Sequence, residues 1–360
     1  MSIYALSQRA GETCDAAGKA MQDVFAVLAQ KGSKTIWSMP KSCSKYMKIL
    51  DLPYLACFLL FRAGKKDSIL FAIPENHVKI KLVKAIQKVK KYQIICFIND
   101  LNAFRYGNAD DPIVQEKMRG EAQVIGMADV VLMPNTNTRE LLEKNGVTSR
   151  LIPVGIWDYL MTEQEQNQLK AAQEQKKCAV QQDTGMQPAK IAFAGNLNKS
   201  EFLKSIPFSK DMGLEMHLWG KLEDKKKEEL PSVCEYHGVL KAAEVPAAVC
   251  TMDYGLVWDG TGKDEIEGGL GEYLKYNNSH KCGLYLASGI PAIVWKHSGM
   301  AAFIKEHECG IVIERLSELP GKIKQADYEQ LKKNALLVSN QLQRGHYLKR
   351  ALEQALGEKK

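Results

Sequence analysis

At 360 residues the chain exceeds what one hydrophobic core usually sustains, so two domains are expected. A hydrophobic content of 45% with 25% charged residues sits at the globular average and excludes general disorder, and no short repeat suggests a solenoid. The formal charge of +7 suits a polyanionic ligand, an acidic polysaccharide precursor or the inner membrane surface without requiring any of them, and nothing interleaves aromatic with basic residues as a nucleic-acid binder would.

Nine cysteines, odd in number and scattered, fit neither a zinc knuckle nor a disulfide framework and suit reduced thiols in the cytoplasm. Gln8, Arg9, Glu12 and Asp15 interrupt the opening residues, so no secretory n-region and h-region is read there. The longest apolar stretch, Leu52 to Phe61, is too short to span a bilayer. It reads as a buried helix, with a lipid-facing patch as the alternative.

Along the chain, Ile3 to Leu6 predicts a strand and Ala16 to Gln30 a helix ending near Gly32. Short apolar runs at Ser68 to Ile73, Gln93 to Ile98 and Asp129 to Met133 have the length of buried strands. Helical spacing fills Val78 to Lys90, Ile113 to Ile125 and Thr136 to Lys144, the last stopped by Asn145-Gly146. This alternation predicts a parallel sheet covered on both faces. From Met161 to Gln187 the composition turns to Gln, Glu and Lys, which reads as an interdomain linker, helical in part.

A second series begins at Lys190. Strands are expected at Ile191 to Ala194, Met216 to Trp219, Tyr254 to Trp258, Ala292 to Val294 and Gly310 to Ile313. Helices are expected at Ala242 to Cys250, Lys281 to Ser288, Met300 to Glu306 and Tyr328 to Leu342. The expected fold class is therefore α/β, with two Rossmann-like, doubly wound parallel-sheet domains facing across a cleft. The boundaries are 1–157 and 189–343, with 158–188 as linker and a terminal helix over 344–360.

In open α/β sheets, ligands sit beyond the carboxyl ends of the strands. The loop Gly195-Asn196-Leu197-Asn198-Lys199 begins at such an end; Gly195 permits close backbone approach and Lys199 could neutralise a phosphate, although a plain strand-to-helix turn explains the loop equally well. Trp219-Gly220-Lys221 suits a base or ribose contact or a structural turn. The glycine-rich stretch from Trp258 to Gly271 has the length of a lid.

The densest signal is Gly268 to Ile293. A polar segment with Tyr273, Tyr276, Asn277, Asn278 and Ser279 feeds a helix whose first turn carries Lys281. Aligned backbone N–H groups, the helix dipole and a lysine together favour a diphosphate, against the alternative of an ordinary loop–helix–strand unit with a solvated lysine. Asn278 and Ser279 are placed to cap the helix and the two tyrosines to lie beside a nucleotide. His280 next to the helix start reads as structural, with a phosphate or sugar hydroxyl contact as the alternative.

This segment resembles bacterial glycosyltransferases of the β-1,6-galactofuranosyltransferase-like and adhesin glucosyltransferase-like kind. Their pattern GEYLxYNNPHKxxxYLAxGxPVIVW is matched from Gly271 to Trp295, with Ser279 replacing the common proline. The resemblance implies the two-domain GT-B architecture, the terminal helix packed back on the first domain, and a UDP-sugar donor held by the second. It implies transfer of a hexose, galactofuranose or glucose, to a lipid- or protein-linked glycan, by a cytoplasmic enzyme peripheral to the inner membrane, with a homo-oligomer left open. Phe97 to Arg105 matches the family's I-H-D-L-x-x-x-R turn with Asn99 in place of histidine. That match makes Asp100 the candidate base on the acceptor side, although an aspartate beside a turn also commonly caps the next segment. Gly11-Glu12-Thr13 would line the cleft, and Pro153 to Asp158 would act as hinge. No Asp-x-Asp occurs in the chain, so no cofactor or metal is expected, Lys199, Lys281 and the helix dipole standing in for the cation. Two other readings are a nucleotide-sugar epimerase or hydrolase and an inactive GT-B-like partner subunit. An NAD-dependent epimerase is disfavoured because no Gly-x-Gly-x-x-Gly follows a strand.

Overall fold

The computed structural model describes residues 2–6, 16–36, 50–73, 77–104, 111–182 and 187–357. Two compact units divide the chain. The first comprises Met1–Thr13, Met21–Val154 and Leu348–Lys360; the second comprises Cys14–Ala20 and Gly155–Tyr347.

The first unit runs β1 (Ile3–Leu6), α1 (Ala16–Gln30), β2 (Lys34–Ile36), α2 (Asp51–Arg62), β3 (Ser68–Ile73), α3 (His77–Lys90), β4 (Gln93–Ile98), α4 (Pro112–Ile125), β5 (Val130–Met133), α5 (Asn137–Lys144) and β6 (Arg150–Pro153). All six strands are parallel, in the order β2-β1-β3-β4-β5-β6. The central strands are continuous apolar runs because helices cover both faces of a parallel sheet; every residue of β3 and β5 is buried. Helix α4 starts where Pro112 occupies the first turn and the Asp111 carboxylate accepts from Ile113 N at 2.8 Å. Within this unit Gln93 Nε2 donates to Ala355 O and Lys31 pairs with Glu353, which fixes the terminal segment.

Helix α2 corrects the expectation of a buried helix. Leu55 and Leu59 are buried, but Phe61 is 82% exposed and Tyr54 and Leu60 about 40% exposed, so one apolar stripe faces solvent.

The second unit contains α6 (Glu163–Gln182), β7 (Ala189–Ala194), β8 (Leu214–Trp219), α7 (Asp224–Glu228), β9 (Cys234–Tyr236), α8 (Val245–Val249), β10 (Tyr254–Val257), α9 (Gly268–Tyr273), α10 (His280–Ala287), β11 (Ala292–Trp295), α11 (Ala301–His307), β12 (Gly310–Ile313), α12 (Leu319–Gln325) and α13 (Tyr328–Leu342); α14 (His346–Leu356) follows. Its six strands are again parallel, ordered β12-β11-β10-β7-β8-β9. One core lies on the sheet face formed by Ile191, Phe193, Met216, Leu218, Leu256 and Trp258.

The stretch expected as linker belongs to this unit. Helix α6 opens with a capping box, Thr162 N donating to Glu165 Oε2 at 2.6 Å and Glu165 N to Thr162 Oγ1 at 3.3 Å. Lys176 Nζ then donates to Met252 O and pairs with Asp253 at 2.8 Å, and Gln173 Nε2 donates to Ser288 O. Polar anchors, with Leu169 the buried apolar contact among the described residues, hold a helix whose composition resembles a free spacer.

Three short strands escape sequence reading: β2, β6 and β9. Each lies at a sheet edge, where one neighbour suffices and polar residues are tolerated. The glycine-rich stretch after β10 also differs from a free lid. Its last part is α9, and the rest is tied down: Thr261 N donates to Glu267 O, Leu316 N to Asp264 O, and Ser317 N to the Asp264 carboxylate at 2.7 Å.

Candidate functional site

In the second sheet the chain proceeds from β7 outward to β9, then returns to β10 on the other side of β7. The strand order reverses there, and a doubly wound sheet opens its ligand crevice at the carboxyl ends of those two strands.

At the end of β7, Gly195 has φ +144° and its N–H donates to Trp219 O at 2.9 Å. The neighbouring turn after β8 puts Gly220 at φ +138°, where an added Cβ would stand 1.7 Å from Gly195 O. The two turns therefore stack backbone on backbone, which only glycine allows. Gly220 N also donates to Gly238 O, so the Trp219-Gly220-Lys221 turn does structural work. Asn196 follows Gly195 and caps a short 3-10 turn by accepting from Asn198 N at 3.2 Å; Lys199, at the end of that turn, is exposed.

Helix α10 approaches the same strand end from the other side. The ring of Tyr285 lies on the backbone of Gly255, where a Cβ would come within 2.1 Å of it, and its hydroxyl accepts from Ala194 N at 2.9 Å. Lys281, in the first turn, extends its stem across Gly195: its Cε is 3.2 Å from where a Gly195 Cβ would sit. Its ammonium stands 4.5 Å above the centre of the Phe193 ring and 3.8 Å from Asp259 Oδ2, at the end of β10. That separation is longer than a hydrogen bond, so Asp259 tethers the cation without occupying its donors. Gly195, Lys281 and Asp259 thus converge at the switch point. Asp259 had no role in the sequence reading.

The remaining candidates fall nearby in the chain with different surroundings. Tyr273 is the last residue of α9 and is buried; Tyr276 and Asn277 follow in a turn whose N–H groups both donate to Tyr273 O. Asn277 Oδ1 is buried without a hydrogen-bond partner, and Asn278 is buried. Ser279 does occupy the N-cap position of α10, but its side chain makes no capping bond, which corrects that part of the expectation. Burial, helped by the charge of Lys19, pushes the His280 imidazole down to about 4, so it is neutral near pH 7. Lys19 itself donates to Leu160 O at 2.6 Å and stands over the Tyr159 ring.

In the first unit Asp100 lies half-buried just beyond β4, where Asn99 N donates to Ile73 O. Beside it is a residue the sequence reading passed over. Glu121 on α4 accepts from Ala103 N, and burial raises its carboxyl to about 7, the Ala103 bond opposing and the Asp100 charge adding to the rise. Carboxylates that face one another in partial burial share protons, and such pairs are candidates for acid–base work. Gly11-Glu12-Thr13 and Arg105 lie outside the described residues. Among the described residues one group has metal-ligand spacing, His217, Glu235 and His237, on and just beyond β8 and β9.

Two doubly wound parallel-sheet units, the second with a glycine turn and a lysine at its switch point, define the GT-B glycosyltransferase class. Solved structures superpose on nearly the whole chain. Sucrose-phosphate synthase from Thermosynechococcus elongatus matches with a TM-score of 0.57 and 10% identity, covering 99% of this chain and 97% of that one. Anabaena HepE, solved in complex with UDP, matches with a TM-score of 0.56 and 11% identity over 98% of each chain. At that identity the likeness concerns the fold. The chain belongs to the glucosyltransferase 3-like family: residues 3–156 match its N-terminal domain and residues 191–355 its C-terminal domain. It is 22% identical over 351 residues to the β-1,6-galactofuranosyltransferase WbbI of Escherichia coli K12, covering 96% of both chains. It is 25% identical to glucosyltransferase 3 of Streptococcus gordonii, covering 75% of this chain and 73% of that protein. Among the described residues no helix is long and apolar enough to cross a membrane.

Proposed function

We propose that this chain transfers a hexose, galactofuranose or glucose, from a UDP-sugar to a glycan acceptor in cell-surface polysaccharide or glycoprotein assembly. The names of its relatives support the reaction class, and the UDP held by HepE supports the nucleotide. The observation that carries the donor assignment is the placement of Lys281 across Gly195 at the switch point.

As the bond from the anomeric carbon to the leaving oxygen lengthens, negative charge grows on the diphosphate. Lys281, the exposed Lys199 and the backbone N–H groups opening α10 supply positive potential to that charge without a metal. Gly195 and Asn196 bring backbone close to the ligand, while Tyr273, Tyr276, Asn277, Asn278 and Ser279 shape the nucleotide side. Residues 1–157 serve the acceptor. Asp100 takes the proton of the acceptor hydroxyl, and Glu121, its carboxyl raised by burial to about 7, is the second titrating group beside it. The exposed Tyr54, Leu60 and Phe61 stripe of α2, close in sequence to Arg62, Lys65 and Lys66, supports contact with an anionic inner membrane surface.

The test is titration calorimetry with UDP in excess chelator, followed by turnover with UDP-galactofuranose and UDP-glucose. Saturable UDP binding that survives chelation and weakens more than tenfold in Lys281→Ala is expected. Undiminished binding in that variant rejects the donor assignment. Loss of binding on chelation rejects metal independence.

A further inference from the structure

On the sheet face opposite the apolar core of the second unit, β8 and the end of β9 bring together a cluster that the donor site does not use. His217 and Glu235 are register partners, and His237 follows one step beyond β9. His217 is buried at 5% exposure, and its ring is parallel to that of His237 within 8°. His217 Nδ1 lies 2.8 Å from His237 Nε2, Glu235 Oε2 is 3.8 Å from the first nitrogen, and Glu235 Oε1 is 3.8 Å from the second. Trp219 lies against both rings, its centre 4.7 Å from that of His237 and 6.2 Å from that of His217.

Proton accounting leaves this arrangement incomplete as it stands. Two neutral imidazoles sharing one hydrogen bond use one proton between the facing nitrogens. If His217 donates through Nδ1, its Nε2 is a bare acceptor; if it accepts there, its Nε2 carries the proton. In either tautomer His217 Nε2 is buried without a hydrogen-bond partner. A cation between the facing nitrogens removes the difficulty. Both nitrogens can ligate the ion once the rings turn and part from 2.8 Å, and His217 Nε2 then carries the proton 3.7 Å from Glu215 Oε2, where a small rotation makes that group the outer carboxylate that commonly orients a ligating histidine. Ligands on a tetrahedral zinc stand about 3.3 Å apart, given bond lengths near 2.0–2.1 Å. The facing nitrogens are closer than that, each carboxylate oxygen is 3.8 Å from one of them, and one ligand atom from each residue falls within 4.8 Å of the others.

We propose that His217, His237 and Glu235 form a binding site for a divalent transition-metal ion of the zinc type, with water as fourth ligand and Glu215 as outer-shell partner. Two imidazoles and a carboxylate select such an ion over magnesium or calcium, which take oxygen shells. Lys190 on β7 adds an opposing positive charge, which the two carboxylates outweigh. The site joins an edge strand to its neighbour, so its role is to pin β9. It is independent of the donor assignment.

The experiment uses the full chain stripped with chelator and dialysed. Zinc is titrated against a chromophoric chelator, and cobalt(II) is titrated with its visible spectrum recorded. One zinc per chain, the intense visible bands of four-coordinate cobalt, and a raised melting temperature are expected. Glu235→Gln and His237→Gln alter partly exposed side chains, and with far-UV circular dichroism confirming their fold each should weaken zinc at least tenfold and abolish the cobalt bands. The proposal is overturned by any one of three results: no stoichiometric zinc, six-coordinate cobalt, or unchanged affinity in both folded variants, which would mean adventitious binding elsewhere.

Discussion

The two units share one fold and differ in the charge they hold at their strand ends. Beyond β4 the first unit sets Asp100 beside the buried carboxyl of Glu121; at its switch point the second sets Lys281 over an aromatic ring and a bare glycine. Parallel sheets present empty strand ends, and the loops decide whether such an end attracts protons or anions.

The comparison breaks most sharply at Asp100. Asp100→Asn should lower turnover by about 10²–10⁴-fold and leave UDP affinity unchanged, measured by initial rates and calorimetry. Retained activity would remove it as the base.

Acid–base stability sharpens the contrast, because the two buried groups oppose each other. Glu121 holds its proton to about 7 in the folded state against an ordinary 4.5. The native chain binds the extra proton between those values, so stability from this group falls as pH rises through that window, by up to about 3 kcal/mol. His280 is shifted the other way, to about 4 from 6.5, so its contribution is full above pH 6.5 and is lost as pH falls toward 4, again by up to about 3 kcal/mol. Urea unfolding across pH 4–8 should show Glu121→Gln gaining relative stability at the alkaline end and His280→Leu at the acid end. Parallel profiles for the two variants would contradict both assignments.

Smaller effects follow in the second unit. Lys281→Ala should weaken UDP more than tenfold while leaving the unfolding midpoint nearly unchanged, since its carboxylate partner is at 3.8 Å and partly solvated. Ser279→Ala should cost less than about 0.5 kcal/mol, below the usual loss at an N-cap, because the hydroxyl caps nothing. A loss of 1 kcal/mol or more in thermal melts would show that it does.

The long apolar strands and the helix Tyr328–Leu342 were readable because burial on both faces writes an uninterrupted hydrophobic run and a single buried stripe writes a clear period. The edge strand Gly310–Ile313 was readable by the same rule, but the edge strands Lys34–Ile36 and Cys234–Tyr236 were not, being three residues each with polar members. Helix α6 lies in the stretch read as a linker helical in part, and Thr162 and Glu165 spell its capping box. At the site, Gly195 and Lys281 could be read from loop chemistry. Asp259 and Glu121 could not, because their meaning comes from neighbours distant in sequence. The pairing of His217 with His237 is likewise invisible along the chain, being made across parallel strands.

Tyr285 links the two lysine-bearing elements more firmly than either sequence motif suggests. With its ring against β10 and its hydroxyl held by the last amide of β7, the helix cannot slide without dragging the strand end along. A nucleotide that meets the turn and the ammonium together would find them already in register. Binding would then require little ordering of the protein, and replacing this tyrosine by phenylalanine should slow no chemistry but loosen the grip.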